Sequence, residues 1–334
     1  METISLLHGS GTGLAELLDT IIKPGLEEVL CPGPFEDAAV LVQEKGRIAF
    51  TTDSFVVKPL EFPGGDIGKL AVCGTVNDLA MMGAVPKYLA LALIIEEALP
   101  VEAFKRILRS IMITCKECGV VVSCGDTKIV DKGKGDGIFI TTTGIGELPA
   151  DISLSVKNAR EGDAVIVSGA VGFHGITILS QRMATGLQTK IRSDCAPLHE
   201  LAARLLKSVP QTRLLRDATR GGCSAVLNEI ANESGVTIHI DRSNVPVDDA
   251  VRGACSYLGV DPLDVANEGR FIAIVPSECI CDALKALHTH PSGTDAACIG
   301  VVEARKRFAV TITTEIGAVR PLEIPHGRLL PRIC

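Results

Sequence analysis

The chain has 334 residues, of which 46% are hydrophobic, 33 are glycine and 3% are aromatic. This composition excludes a disordered or fibrous protein and suits a compact α/β chain long enough for two domains. The formal net charge of −7, from 33 basic and 40 acidic residues, argues against nucleic acid or an anionic membrane as the main partner.

Three features predict a cytoplasmic protein. The N-terminal sequence METISLLHGSGTG has no basic segment followed by a long apolar run, and the longest apolar stretch, residues 89–95, is too short to span a bilayer. The 12 cysteines are scattered without the spacing of a small disulfide scaffold. In a reducing compartment most of them would be free, buried and apolar in behaviour.

The first half of the chain alternates strand-like and helix-like segments. Residues 47–53 (RIAFTTD) and 88–95 (YLALALII) are short apolar runs typical of strands. Residues 66–82 and 100–118 have helical periodicity, and Gly119 suits the end of the second helix. The segments VVVSCGD and IFITTTGIGE predict two further strands.

The pattern restarts near residue 150, which predicts a domain boundary there. Further strands are expected at 164–169, 237–240, 271–275, 298–302 and 308–313, and helices at about 175–184, 221–234 and 277–288. We therefore predict an N-terminal domain at 1–150 and a C-terminal α/β domain at 151–320. Residues 321–334, PLEIPHGRLLPRIC, carry three prolines without a helical period and predict an extended, mobile tail.

Four aspartates in the first half have similar neighbours in the sequence: Asp37, Asp53, Asp78 and Asp126. Asp53 and Asp126 each close a predicted strand, and Asp78 lies on an otherwise apolar helix, where a buried carboxylate needs a counter-charge. Carboxylates that meet at one place suit Mg²⁺ with a nucleotide, because hard oxygen ligands leave room for waters and phosphate oxygens. From residue types alone, strand-end and capping aspartates remain the alternative.

DATRGG is the strongest of three glycine-rich candidates for phosphate binding. Asp217 and Thr219 offer oxygen atoms, Arg220 offers a guanidinium fork, and two glycines permit close backbone approach at a helix start. HGSGTG (residues 8–13) could wrap phosphates with its backbone amides but is neither a Walker A loop nor a dinucleotide fingerprint. SGAVGFHG (residues 168–175) could bind an anion at a helix start, but its glycine spacing matches no known loop, so tight turns are the simpler interpretation. His174, in the last segment, is the histidine that merits a test.

The cysteines divide into two groups. Cys115-x-x-Cys118 and Cys279-x-Cys281 lack the second ligand pair of a zinc site, so buried helical cysteines are favoured and a redox pair stays open. Cys334 ends a proline-punctuated tail. It is either an accidental terminal cysteine or a reactive thiol on a swinging arm.

Several segments together resemble the HypE family of hydrogenase maturation proteins along essentially the whole chain: FTTDSFVVKPLEFPGGDIGKLAVCGTVNDLAMMGA, GDTK, DATRGG, VANEGR and the terminal PRIC. This family is part of the superfamily of aminoimidazole ribonucleotide synthetase, selenophosphate synthetase and thiamine-monophosphate kinase. The resemblance implies a two-domain α/β (α+β) fold in which the N-terminal sheets of two subunits form a barrel-like dimer core. One departure is the N-terminal loop, HGSGTG, where the family usually has HG-x-GG.

The resemblance also implies a function. It implies an ATP-dependent carbamoyl dehydratase that converts a carboxamide carried on Cys334 into a thiocyanate, which supplies the cyanide ligand of NiFe-hydrogenase iron. The implied cofactors are ATP and Mg²⁺. The implied partners are a second copy of the chain, the carbamoyl transferase HypF and the iron-carrying HypC–HypD complex.

Matching positions carry the family's site residues onto this chain. The implied Mg²⁺ ligands are Asp37, Asp53, Asp78 and Asp126. The implied nucleotide-binding residues are Asp53, Asn77, Asp78, Asp126, Thr127, Asp217 and Arg220. Besides Cys334, the implied catalytic residues are Glu268, as the base that removes nitrogen protons, and Lys128, as a stabiliser of developing charge.

Two other functions remain open at this stage. A small-molecule kinase of the same superfamily would share the ATP site and leave Cys334 unmodified. A non-catalytic carrier would deliver a group made elsewhere and would tolerate the loss of Asp78. The terminal PRIC counts against the kinase, and the four aspartates count against the carrier.

Overall fold

Two sheets organise the chain, one in each half. The computed structural model describes residues 19–20, 38–43, 46–182, 190–324 and 334. Within these residues the strands are β1 (Ala39–Gln43), β2 (Gly46–Phe55), β3 (Glu61–Phe62), β4 (Gly65–Asp66), β5 (Val85–Glu96), β6 (Val121–Val130), β7 (Ile138–Leu148), β8 (Ala164–Val167), β9 (Leu214–Asp217), β10 (Thr237–Asp241), β11 (Phe271–Val275), β12 (Ala297–Glu303), β13 (Val310–Thr313) and β14 (Val319–Pro321). The helices are α1 (Ile67–Met81), α2 (Val101–Cys118), α3 (Phe173–Arg182), α4 (His199–Ser208), α5 (Gly222–Glu233), α6 (Asp249–Leu258) and α7 (Ile280–His288).

The N-terminal sheet has five strands in the order β1-β2-β7-β5-β6. Neighbouring strands are antiparallel except for β5 and β6, which run parallel. Side chains alternate across the sheet, so Ala49 and Phe55 of β2 are buried whereas Phe50 is exposed. One face packs on helices and the other is open, and β6 at the edge is exposed along nearly its whole length.

Helix α1 is buried on almost every side. It begins where the carboxylate of Asp66 accepts hydrogen bonds from the backbone N–H groups of Gly68 and Lys69, at 2.7 and 3.0 Å. Its apolar residues contact β2 and β7 of the first sheet and also α4 and β9 of the second half. A helix that is apolar all round is stable only inside a protein, so α1 joins the two halves.

The C-terminal sheet has seven strands in the order β14-β13-β10-β12-β8-β11-β9. Its central strands β8 and β11 are buried along their whole length. Apolar cores cover both faces, one built on α5 and the other on α4 and α7. The second core includes Ala80 and Met81 of α1, which ties the N-terminal domain to the C-terminal sheet.

The predicted strands and helices of the first half are all present. Strands β5 and β6 are longer than expected, and the β5–β7 register shifts between Pro86 and Tyr88. The predicted helix at 100–118 begins one residue later, because Pro100 is the cap residue before α2, and Gly119 ends the helix with a φ of 65°.

In the second half, the predicted helix at 277–288 begins with a 3₁₀ turn and becomes α7 only at Ile280. Helices α4 and α6 were not predicted, although Leu201, Ala202 and Leu205 of α4 do have helical spacing. The α/β fold class is confirmed. The domain limits at residues 150 and 320 and the mobility of the tail stay predictions. No helix in the described part of the chain has the length and apolar character needed to cross a bilayer.

Candidate active site

A cavity of about 710 Å³ is lined by residues of both halves of the chain. The N-terminal contribution comes from β2 and α1, and the C-terminal contribution from the end of β9, the start of α5 and the segment before β11. Its polar lining consists of Thr51, Thr52, Asp53, Asp78, Arg216, Asp217, Thr219, Arg220, Glu229, Glu268 and Cys334. Most of the predicted site residues therefore lie around one space.

The packing of β2 on α1 brings Asp53 and Asp78 to the same wall. Thr51 and Asp53 are two residues apart on one strand, so both face the helix. Thr51 Oγ1 donates a hydrogen bond of 2.8 Å to Asp78 Oδ2. The close approach requires glycine at 74, because a Cβ there would lie 2.7 Å from the ring of Phe55. Burial raises the pKa of Asp53, and the positive charge of Arg220 opposes that rise.

The DATRGG segment forms the opposite wall. Asp217 ends β9 and is buried, which raises its pKa to about 6 even though Arg216 opposes the rise. Arg220 is exposed to solvent at one side, and its pKa is raised by the nearby acidic groups of Cys334, Asp53 and Glu268. Gly222 permits the segment to pack closely, because a Cβ there would overlap carbonyl oxygens of residues 263 and 265.

Glu268 is the most deeply buried carboxyl group of the cavity, with 3% of its surface exposed. Its Oε1 has no hydrogen-bond partner among the described residues. Loss of hydration, followed by the neighbouring Cys195 and Asp217, raises its pKa well above the ordinary value. Burial therefore favours the neutral form of the group and makes the ionised carboxylate a stronger base.

Cys334 lies inside the cavity. An oxygen of its main-chain carboxylate accepts a hydrogen bond of 3.0 Å from the N–H of Val56, directly after β2. Its side chain is half-buried and packs on the apolar core of the N-terminal domain. Burial raises the pKa of its thiol to about 12, with Glu268 adding to the rise and Arg220 opposing it. The thiol is thus protonated in this position.

The predicted Mg²⁺ site is only partly assembled in one chain. Asp53 and Asp78 line the cavity, and their carboxylate oxygens are donors of the kind that Mg²⁺ prefers. Asp37 and the HGSGTG loop lie outside the described residues. Among the residues that are described, no three His, Cys, Asp or Glu side chains converge closely enough to hold a metal ion.

Within one chain the structure does not bring Asp126 to Asp53. The strand register aligns Asp53 with Thr142, Leu91 and Gly125, so three strand spacings, roughly 14 Å, separate β2 from β6. Asp126 is also offset from Asp53 by one residue in this register, so its side chain projects from the opposite, open face of the sheet. There its carboxylate accepts hydrogen bonds from Lys128 Nζ and the N–H of Thr127, both at 2.9 Å.

Three other predicted residues lie away from the cavity lining. Asn77 is buried and uses both ends of its amide on backbone: Nδ2 donates to the carbonyl of Ala196 at 3.2 Å, and Oδ1 accepts from the N–H of Leu198 at 2.7 Å. Thr127 and Lys128 are exposed on the edge strand β6. Sequence reasoning also missed Glu229, which pairs with Arg216 at 2.7 Å on the cavity wall.

Comparison with known proteins places the chain in a family. Residues 35–148 match the N-terminal domain of AIR synthase related proteins, and residues 160–313 match the C-terminal domain. The carbamoyl dehydratase HypE of Azotobacter vinelandii is 45% identical over 333 residues, which is 99% of this chain and 97% of that protein. The chain belongs to the HypE family of carbamoyl dehydratases.

Solved structures of HypE proteins have the same fold. The HypE of a HypE–HypF complex superposes with a TM-score of 0.86 at 44% identity, over 92% of this chain and all of that one. A HypE in complex with ATP gives a TM-score of 0.84 at 40% identity, over 99% of this chain and all of that one. The predicted fold and the predicted HypE enzyme class are therefore confirmed.

Proposed function

We propose that the chain dehydrates a carbamoyl group, carried on the sulfur of Cys334, to a nitrile at the expense of ATP. The observation that carries this proposal is the position of Cys334, which shares one cavity with Asp53, Arg220 and Glu268. A group attached to that sulfur is already among charged side chains that suit phosphoryl transfer and proton removal. The HypE with bound ATP supports the choice of the phosphoryl donor.

The reaction balances with ATP as co-substrate. The partner that carbamoylates Cys334 leaves S–C(=O)–NH₂ on the chain. The carboxamide oxygen then attacks the γ-phosphorus of ATP, and ADP leaves. The C–O bond then breaks with departure of phosphate, while the nitrogen loses both protons and the triple bond forms. The products are the thiocyanate S–C≡N, ADP and inorganic phosphate. Phosphorylation is needed because hydroxide is a poor leaving group from a carboxamide.

Glu268 is the base in this scheme. Its raised pKa makes the ionised carboxylate a strong proton acceptor, and the nearby Arg220 favours that ionised form. The buried setting keeps bulk water away from the nitrogen, and Oε1 has no hydrogen bond to a described residue that a substrate N–H would have to displace.

Asp53 and Asp78 would hold Mg²⁺, which when bound neutralises charge on the triphosphate and orients it. Their donor set fits this ion because it consists of carboxylate oxygens without thiolate or imidazole. Asp217 and Arg220, on the facing wall, would position the nucleotide phosphates. Asp37 remains part of the proposed ligand set, although it lies outside the described residues.

We place the remaining ligands on a second copy of the chain. The open sheet face and the exposed edge strand β6 leave Asp126 and Lys128 facing away from their own cavity, with Thr127 between them at the same sheet edge. Pairing two N-terminal sheets into a barrel-like core covers that face and carries these three residues toward the cavity of the other subunit. In this homodimer Lys128 stabilises the negative charge of the transferring phosphoryl group.

The proposed partners follow from the reaction. HypF supplies the carbamoyl group, in keeping with the solved HypE–HypF complex. The HypC–HypD complex receives the cyanide and delivers it to the iron of a NiFe-hydrogenase. All described cysteines are free, which fits a reducing compartment, and we propose that the reaction takes place in the cytoplasm.

Infrared spectroscopy tests this function by detecting the nitrile itself. Protein incubated with its carbamoylating partner and ATP is expected to show a C≡N stretching band that shifts when the carbamoyl carbon is isotopically labelled. Protein treated in parallel without ATP is the control and should lack the band. A labelled carbamoyl adduct that yields no nitrile band with ATP contradicts the proposal.

A further inference from the structure

We propose that His174 and Ser193 are positioning residues that hold Glu268 in place through the loop 193–196, here called the clamp loop. Neither residue lines the cavity, and neither would touch the substrate. The inference rests on the proposed role of Glu268 as the base. It assigns a role to His174, which is buried and takes no direct part in the reaction.

His174 fixes the start of the clamp loop. The residue has no exposed surface, and its Nδ1 lies 2.7 Å from Ser193 Oγ. The same hydroxyl accepts a hydrogen bond of 3.0 Å from the N–H of Cys195. The imidazole also packs edge-on against the ring of Phe62, with centroids 5.4 Å apart. The imidazole therefore holds the hydroxyl that folds the loop on itself.

The clamp loop in turn holds the backbone of Glu268 on both sides. Asp194 Oδ1 accepts a hydrogen bond of 3.2 Å from the N–H of Glu268. The N–H of Ala196 donates a hydrogen bond of 3.2 Å to the carbonyl of Glu268. A Cβ at Gly269 would overlap the carbonyl oxygen of Asp194, so the two segments pack in direct backbone contact. A displacement of the loop would therefore move Glu268.

The other end of the loop is anchored to the N-terminal domain. The Asn77 amide binds the carbonyl of Ala196 and the N–H of Leu198. Since Glu268 Oε1 has no hydrogen bond to a described residue, the side chain depends on its backbone for its position. A base displaced by an ångström loses much of its effect, so these distant contacts should influence the chemical step.

The test separates positioning from folding by measuring two constants on each variant. The first is the single-turnover rate at which the carbamoyl adduct loses water with saturating ATP, and the second is the affinity for ATP. We expect Ser193→Ala and His174→Leu to lower the rate at least about tenfold while the affinity for ATP stays within about twofold. His174→Asn, which keeps a polar atom near the place of Nδ1, should recover most of the rate.

Ser180→Ala is the matched control, because this α3 hydroxyl donates to the carbonyl of Thr177 and does not contact the clamp loop. It should leave both constants unchanged. Thermal unfolding shows whether each variant is folded. If His174→Leu does not fold, His174→Asn and Ser193→Ala still test the inference. The inference is overturned if Ser193→Ala keeps the wild-type rate, or if rate and ATP affinity fall together. Full nitrile formation by Glu268→Gln in the same assay would instead overturn the base assignment.

Discussion

At the scale of single residues, the cavity shields its carboxyl groups from water, and this shielding shifts their pKa values. Asp53, Asp217 and Glu268 all have pKa values raised chiefly by burial, and each is near another acidic group. Arg220 supplies positive charge beside them. A metal cation bound in this space would favour the ionised forms and so lower the pKa values of these groups.

Replacing Glu268 by glutamine should stop dehydration while leaving the first half of the reaction intact. The amide has a similar shape but accepts no proton, so we expect the rate of nitrile formation to fall by about 10²-fold or more. The carbamoyl adduct on Cys334 should still form, because that step needs only the thiol and the partner. Quenched-flow analysis of the adduct gives the rate. A variant that converts the adduct at the wild-type rate would refute the role of Glu268.

Asp217→Asn should change how stability depends on pH. The folded pKa of Asp217 is about 6 against an ordinary value of 3.8, so between these values the folded chain keeps a proton that the unfolded chain releases. The wild type therefore loses stability as pH rises through this window, by about 3 kcal/mol for an isolated shift of this size. The asparagine variant should lack that loss.

Urea denaturation of nucleotide-free protein from about pH 4 to about pH 7 measures this difference. The two proteins should be similar at the acidic end, and the variant should be the more stable at neutral pH. Glu303→Gln, at an exposed ion pair with Lys306, serves as a control that should alter the slope little. Parallel curves for wild type and Asp217→Asn would contradict the assigned shift.

Much of the site could be predicted from residue types and the family resemblance, and the remainder depends on geometry. Asp53, Asp78 and the DATRGG segment could be predicted because each follows a strand or interrupts an apolar helix. Asn77 and Asp126 belong to the same motifs but do not line the cavity. The amide of Asn77 hydrogen-bonds to backbone groups, and Asp126 faces the opposite side of the sheet. Pleat and register, which decide such cases, are not readable from spacing alone.

At the scale of the elements, α1 depends on a single cap. Asp66→Ala removes the acceptor for two backbone N–H groups at the start of a buried helix. We expect a loss of about 1 kcal/mol in the free energy of unfolding, measured by urea denaturation. Asp66→Asn keeps a hydrogen-bond acceptor, so its free energy of unfolding should fall by less than that of Asp66→Ala. Equal stabilities of wild type and Asp66→Ala would contradict the cap's contribution.

The elements that sequence reasoning found most clearly are those with long apolar patterns, such as α2 and β7. Their extents were less accurate, because hydrogen bonding to neighbouring strands extends β5 and β6 beyond their apolar residues. The short strands β1 and β9 and the helix α6 were missed, although the equally short strands β11 and β13 were predicted. Tertiary partners decide whether such segments become regular structure.

At the scale of the whole molecule, the proposed dimer predicts that one active site uses two chains. Asp126→Asn alone and Cys334→Ala alone should both be inactive in nitrile formation. When the two are mixed, a mixed dimer contains one site with Cys334 from one chain and Asp126 from the other. Random exchange should restore about a quarter of the wild-type sites.

Nitrile formation by the mixture, compared with each variant alone, measures this recovery. Native mass spectrometry of differently tagged chains shows whether mixed dimers have formed. No activity in a mixture that contains them would show that Asp126 does not act on the neighbouring site. A mixture of Asp126→Asn with Glu268→Gln tests the same geometry with a second residue of the cavity and should recover to the same extent.

The central claim is that Cys334 carries the group that this cavity dehydrates, and intact-protein mass spectrometry tests it most directly. Protein incubated with its carbamoylating partner and ATP should first gain one carbamoyl group and then lose one water, with both changes mapped to the C-terminal residue. Cys334→Ala should show neither change. A carbamoyl adduct on Cys334 that persists unchanged with ATP, or a dehydrated adduct on Cys334→Ala, would contradict the account.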